Sequence, residues 1–199
     1  MNAVSRLFAQ MKHETPPIYL KKSLEYYGAL IKKRMKPAAL VTLSVKGEDM
    51  LAIWKEYHET VLCRVGLSAC IMHRCENRIC ILLYDRPFLE DVLFSKAIRQ
   101  WLMEHAGYPK KKDLDAFLNF LHMRFMQQAC PDELGIFLGY PLCDVISYIE
   151  NEGKDYAYCG YWKVYHDVEA CMEQFALYDQ IRNEAAAALV DNQEHRLAI

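Results

Sequence analysis

Two short apolar runs, SACIMHR at 68–74 and RICILLYD at 78–85, stand on either side of the tripeptide CEN. Three residues leave room only for a tight reversal, so the pair predicts a β-hairpin. Upstream, ALVTLSV at 39–45 is apolar and partly β-branched and reads as a strand, set off by Pro37, which ends the helix before it. Between that strand and the hairpin, EDMLAIWKEYHETVLCRVG places Leu51, Trp54, Tyr57 and Val61 on one stripe, with Gly66 as its stop. Because a crossover helix separates strand 39–45 from strand 68–74, the two can lie parallel. A small mixed sheet is therefore expected.

Helical periods dominate the remainder. Segment 18–35 sets Leu20, Leu24, Tyr27, Leu30 and Ile31 on one face and lysines on the other. PFLEDVLFSKAIRQWLMEHAGY and KKDLDAFLNFLHMRFMQQA are both helix-periodic, the second with aspartates near its start that oppose the helix dipole. CPDELGIFLGY and PLCDVISYIENEG read as two short helices punctuated by Pro131, Gly139 and Pro141. DYAYCGYWKVYH then reads as a late strand or extended arm, and a long helix capped by Asp167 closes the chain. The expectation is one α+β domain over 18–189, with a strand, helix, hairpin and late strand flanked by several helices. Residues 1–17 form an N-terminal extension that either docks or reaches a partner, and 190–199 form a frayed tail.

A chain of 199 residues can bury a sizeable core, and 53% hydrophobic with 25% charged residues excludes disordered and low-complexity classes. The net charge of -2 offers no basic field for nucleic acid or an acidic membrane. With no export signal and no run of roughly 20 apolar residues, a cytoplasmic chain with no membrane association is expected. Its eight cysteines are then reduced thiols.

No motif of high specificity for catalysis or metal binding is present. Tight Cys-x-x-Cys pairs are missing; the best metal cluster is His73, Cys75 and Cys80 around the hairpin, set against a reading of these as core and turn residues. Cys159 and His166 would lie about 20 Å apart in an extended segment. Cys130 precedes a helix start, where the dipole can lower a thiol pKa, with His122, His166, Asp132 and Glu133 as possible assistants. Phosphate loops of the Walker or Gly-x-Gly-x-x-Gly kind are lacking. The basic groups KK at 21–22, KKR at 32–34 and KKK at 110–112 could form an anion-attracting surface, set against a reading of them as solvated helix and loop faces. Gly135, Gly139 and Val145 have the spacing of a helix-turn-helix, but the second helix carries Asp144, Glu150 and Glu152 and no basic residue. That argues against DNA.

The segment YCGYWKVYHD at 158–167 holds the densest chemistry. As a strand it would send Trp162 and Val164 to the core and Tyr161, Lys163 and Tyr165 to the other face, where they could stack a planar or anionic ligand or cover a helix. Gly160 allows a bulge or a close backbone approach.

Residues 131–179, PDELGIFLGYPLCDVISYIENEGKDYAYCGYWKVYHDVEACMEQFALYD, closely resemble the most characteristic block of a bacterial family called domain of unknown function 3793. Weaker agreement runs through RMKPAALVTL and HRCENRICILLYDRP, so the resemblance covers about 18–180. It implies no activity. The family pattern has a Cys eight residues before the Lys36-Pro37 pair, where this chain has Gly28, and a His where it has Asp132.

Two functional classes follow. One is a binding or regulatory module holding a small ligand or protein partner between helices 131–150 and segment 156–166, through Tyr140, Tyr161, Lys163 and Tyr165. The other is a thiol-dependent hydrolase or acyl transferase using Cys130 or Cys159 with His166 or Glu133. Metal binding and DNA binding stand behind both, and the identity of any cofactor is unknown.

Overall fold

The computed structural model describes residues 2–127 and 130–194. Helix α1, Ala3–Met11, starts where the Asn2 side chain accepts from Ser5 N at 2.8 Å. Helix α2, Pro16–Lys32, opens on two prolines, which suit a first turn whose N–H groups have no helical partner. Lys22 reaches back from it to Glu14 at 2.6 Å, tying the α1–α2 joint.

The sheet is built from β1 (Ala38–Ser44), β2 (Ser68–Cys75) and β3 (Arg78–Tyr84), with α3 (Met50–Val65) between β1 and β2. The expected hairpin forms, closing through Glu76 and Asn77, and the α+β architecture is as the sequence implies. One pairing is replaced. β3 inserts between the other two in the order β1-β3-β2, so β1 and β2 share a direction without touching, and the sheet is antiparallel throughout. The physical reason lies in β3: its run ICILLY is apolar on both faces, which suits a centre strand covered on two sides. Ala39, Val41, Leu43, Ile79, Ile81 and Leu83 pack on Leu20, Leu24 and Ile31 of α2 and on Ile53, Trp54 and Val61 of α3. The alternate residues Ala38, Leu40, Leu82 and Tyr84 face a second helical layer.

That layer comprises α4 (Arg86–Leu93), α5 (Lys96–His105), α6 (Leu114–Gln127), α7 (Leu134–Phe137) and α8 (Leu142–Glu150). The single period expected over 87–108 is broken at Ser95, whose backbone is extended (ψ 146°) and whose Oγ donates to Val92 O at 2.9 Å. Just before this break Phe94 meets Phe117 edge to face at 5.3 Å. At the start of α6 the Asp113 carboxylate accepts from Ala116 N, which with Lys111 holds its pKa below the ordinary carboxylate range.

The late strand is also reorganised. Segment 158–164 does not extend; it folds on itself as a two-stranded hairpin of β4 (Tyr158–Cys159) and β5 (Lys163–Val164), separate from the main sheet. The cause is Gly160, where any Cβ would collide with the Phe175 ring, so the backbone comes in flat against α9 and turns. Helix α9, Val168–Glu194, then spans the molecule. Phe175, Tyr178 and Ile181 bury with Leu30 and Trp162, and Ala186 and Val190 bury with Leu7, Met11 and Tyr26 of α1 and α2. The first part of the expected tail is thus helical as far as Glu194; residues 195–199 lie outside the described residues. No helix among the described residues is long and apolar enough to cross a membrane.

Candidate functional site

The turn Gly139-Tyr140-Pro141 puts α7 and α8 side by side over the β1 edge of the sheet. Gly139 adopts φ +77° against the Pro37 ring, a seat that excludes any side chain. Gly135 lets Val145 and Tyr140 close over α7. The spacing that suggested a helix-turn-helix therefore serves packing: α7 has only four residues, and Asp144 of α8 is buried.

Asp144 is the fastener of this region. Its Oδ2 accepts from Trp162 Nε1 at 2.8 Å, and its Oδ1 accepts from the backbone N–H groups of Tyr165 and His166, each at 3.0 Å. A buried carboxylate needs such donors, and charge-assisted bonds are about twice as strong as neutral ones. Through them the first turn of α8 holds the β4–β5 hairpin. Trp162 and Val164 are core residues, as the alternation implied. Trp162 stacks on Tyr140 at 5.0 Å and meets Phe175 edge-on at 4.5 Å.

Between these parts lies a cleft of about 390 Å³, lined chiefly by apolar and aromatic side chains. Leu40, Leu134, Leu138 and Val145 contribute aliphatic surface, while Tyr140, Trp162 and Tyr148 contribute aromatic surface. Cys130, Asp132, Asp144 and Lys163 bring its polar chemistry. The Lys163 ammonium donates to Gly153 O at 2.6 Å and stands 4.9 Å and 5.6 Å from the ring centroids of Tyr156 and Tyr148. Near the cleft, Lys36 is only 6% exposed, with its Nζ 4.8 Å from the centroid of Tyr140. Burial, and then the charge of Arg182, pull its pKa down to about 8. Burial likewise pushes the Tyr140 hydroxyl up to about 12.

Of the four residues expected to bind ligand, the cleft gathers Tyr140 and Lys163 and separates the other two. Tyr161 sits in the hairpin turn and packs on α9, its hydroxyl donating to Asp179 Oδ1 at 2.7 Å and its ring 4.8 Å from the Arg182 guanidinium. The Tyr165 hydroxyl is buried with no hydrogen-bond partner among the described residues. The thiol candidates do not assemble. Cys130 is at the cleft, but burial, Asp132 and Glu133 push its thiol pKa up, opposite to what an activated thiolate needs. Glu133 is taken up by Arg124 and by the Tyr108 hydroxyl at 3.2 Å, in the interior. His166 bonds Ser147 Oγ at 3.0 Å, and Cys159 pairs with Lys163 across the small hairpin. Around the main hairpin His73 lies opposite Cys80, while Cys75 lies opposite Arg78 and is exposed.

Sequence reasoning read Asp144 only as an acid on a would-be recognition helix and did not use Leu40 or Cys143. The available signal for Asp144 was its place in a first turn just after Pro141, beside an aromatic segment rich in N–H donors.

No curated protein and no solved structure matches this chain. The model of the family described as Protein of unknown function (DUF3793) matches residues 25–198, which include every residue of the cleft, and the chain belongs to that family.

Proposed function

We propose that the protein is a small-molecule-binding module whose cleft between α7, α8 and the β4–β5 hairpin takes a planar, largely apolar ligand bearing an anionic group. The observation that carries this reading is the cleft itself: about 390 Å³, apolar and aromatic walls, and few polar groups. Ligand pockets commonly have about 300–1,000 Å³ and this balance of lining. Tyr140, Tyr148 and Trp162 offer faces for stacking a ring. Lys163 forms no ion pair among the described residues, so its charge, held by one carbonyl and two rings, suits an anionic substituent. The raised Cys130 thiol favours binding over thiolate chemistry at this cleft.

Titration of the native protein with 1-anilinonaphthalene-8-sulfonate, a planar aromatic anion, tests the reading. One saturable equivalent is expected. Leu40→Trp, which adds ring volume at the cleft, should abolish binding in a protein that still unfolds in one cooperative urea transition, and Lys163→Met should weaken it about tenfold, the equivalent of about 1.4 kcal/mol. Saturable binding that survives Leu40→Trp would overturn the assignment.

A further inference from the structure

We infer that Cys143, Asp144 and His166 form a site for a divalent transition cation of the zinc class. Each offers one ligand atom, and among the described residues this is the one group of three whose ligand atoms all lie within 4.8 Å of one another. Zinc held tetrahedrally at about 2.0–2.3 Å sets its ligand atoms roughly 3.3–3.8 Å apart. Closure by at most about 1–1.5 Å therefore separates this arrangement from a loaded one. Cys143 and His166 are exposed, so their side chains can swing; Asp144 is fixed.

The donor set selects the ion. A thiolate, an imidazole and one carboxylate suit zinc and its neighbours, whereas calcium and magnesium require oxygen shells. Asp144 has the capacity. An ionised carboxylate has about four acceptor positions, and three are filled by Trp162, Tyr165 and His166, which leaves one for a metal and aims it. With His166 Nε2 bonded to the Ser147 hydroxyl, Nδ1 is the ring nitrogen left for the metal, and such an outer partner is the kind that orients a ligating imidazole. Asp144's role as a fastener explains its own three bonds. Chain adjacency places Cys143 beside Asp144 and the backbone bond places His166 there, but neither fixes the thiol and the imidazole within 4.8 Å of the carboxylate and of each other. Bound metal would staple α8 to the segment joining β5 and α9, and three protein ligands leave a fourth position open. This inference is independent of whether the neighbouring cleft holds a ligand.

The test uses full-length protein stripped of metal under reducing conditions and titrated with Co2+ alone. One equivalent is expected to bind with a thiolate-to-cobalt charge-transfer band and the intense visible absorption of a four-coordinate site, and Zn2+ is expected to displace it. Cys143→Ser should remove the charge-transfer band and His166→Ala should abolish tight binding. Ser147→Ala should weaken binding about tenfold to a hundredfold. Cys75→Ser, on the main hairpin, should bind as the parent does. Zn2+ should raise the thermal midpoint of the parent and not that of Cys143→Ser. Absence of saturable cobalt binding, a charge-transfer band that persists in Cys143→Ser, or its loss in Cys75→Ser would each overturn the site.

Discussion

Replacing Lys36 with Met should stabilise the protein, and the gain should vanish at high pH. Lys36 is buried beside Tyr140 and forms no ion pair among the described residues, and burial together with Arg182 brings its pKa to about 8 from an ordinary 10.5. At about 1.4 kcal/mol per pH unit, that gap corresponds to roughly 3 kcal/mol of cost for keeping the ammonium charged in the folded chain. The Tyr140 ring, with its centroid 4.8 Å from Nζ, returns about 1 kcal/mol. The net expectation is about 2 kcal/mol in favour of Lys36→Met at pH 7. The direction with pH follows from proton counting. Below pH 8 both folded and unfolded wild type carry the proton, and the cost is present in full. Between about 8 and 10.5 the unfolded chain holds a proton that the folded chain has released, so wild-type stability rises relative to the variant. Above 10.5 the two should converge. Raised groups such as Cys70, Tyr140 and Tyr178, each near 12, act in the opposite sense, contributing stability below their ordinary pKa that is lost as pH rises. Cys70 and Tyr178 are common to both proteins and cancel in the difference, while Tyr140, which touches Lys36, is the one whose contribution can change with the substitution. Urea unfolding of both proteins by circular dichroism, from about pH 6.5 to 10.5, measures that difference. A difference that stays flat with pH, or that favours wild type at pH 7, would refute the assignment of Lys36 as an uncompensated buried cation.

Gly160→Ala should cost about 1–3 kcal/mol, because its Cβ must displace the Phe175 ring from beneath the small hairpin; a urea midpoint matching wild type would show that the hairpin can lift without penalty. Asp144→Asn should cost about 1–3 kcal/mol, since an amide can turn only one oxygen toward three donors and opposes the third with its own N–H. Equilibrium unfolding of this variant within experimental error of wild type would remove Asp144 from its place as the fastener of α8 to the hairpin.

The elements legible in the sequence are those whose determinants lie within a few residues of one another. Helix α3 runs from the Asp49 side chain, which accepts from Leu51 N, to Gly66 in the left-handed region, and its stripe, stop and cap are all local. The main hairpin follows from two apolar runs and a two-residue reversal. Burial of Trp162 and Val164 follows from size and apolarity alone, even though the alternation used to assign them presumed a strand longer than the one that forms. Local pattern could not show that α4 and α5 are separate, because both share one helical period and Ser95, at the break, makes no side-chain cap bond to the helix it starts.

Tertiary structure decided everything that depends on where the chain returns. β3 lies between β1 and β2, where both of its edges are paired and its two apolar faces are covered, one by α2 and α3 and the other by α4 to α8. Tyr161 left the group with Lys163 because Gly160 turns the backbone against Phe175 on α9. The bonds from Trp162, Tyr165 and His166 to Asp144 span 18 to 22 residues, and that from Tyr178 to Met35 spans 143. Periodicity reports which face of an element is apolar; it carries no information about which distant face will cover it. The sequence alone thus determined most of the helices, the hairpin and much of the apolar core, while α1, the α4–α5 break, the cleft and the approach of His166 to Cys143 and Asp144 came from packing those elements against one another.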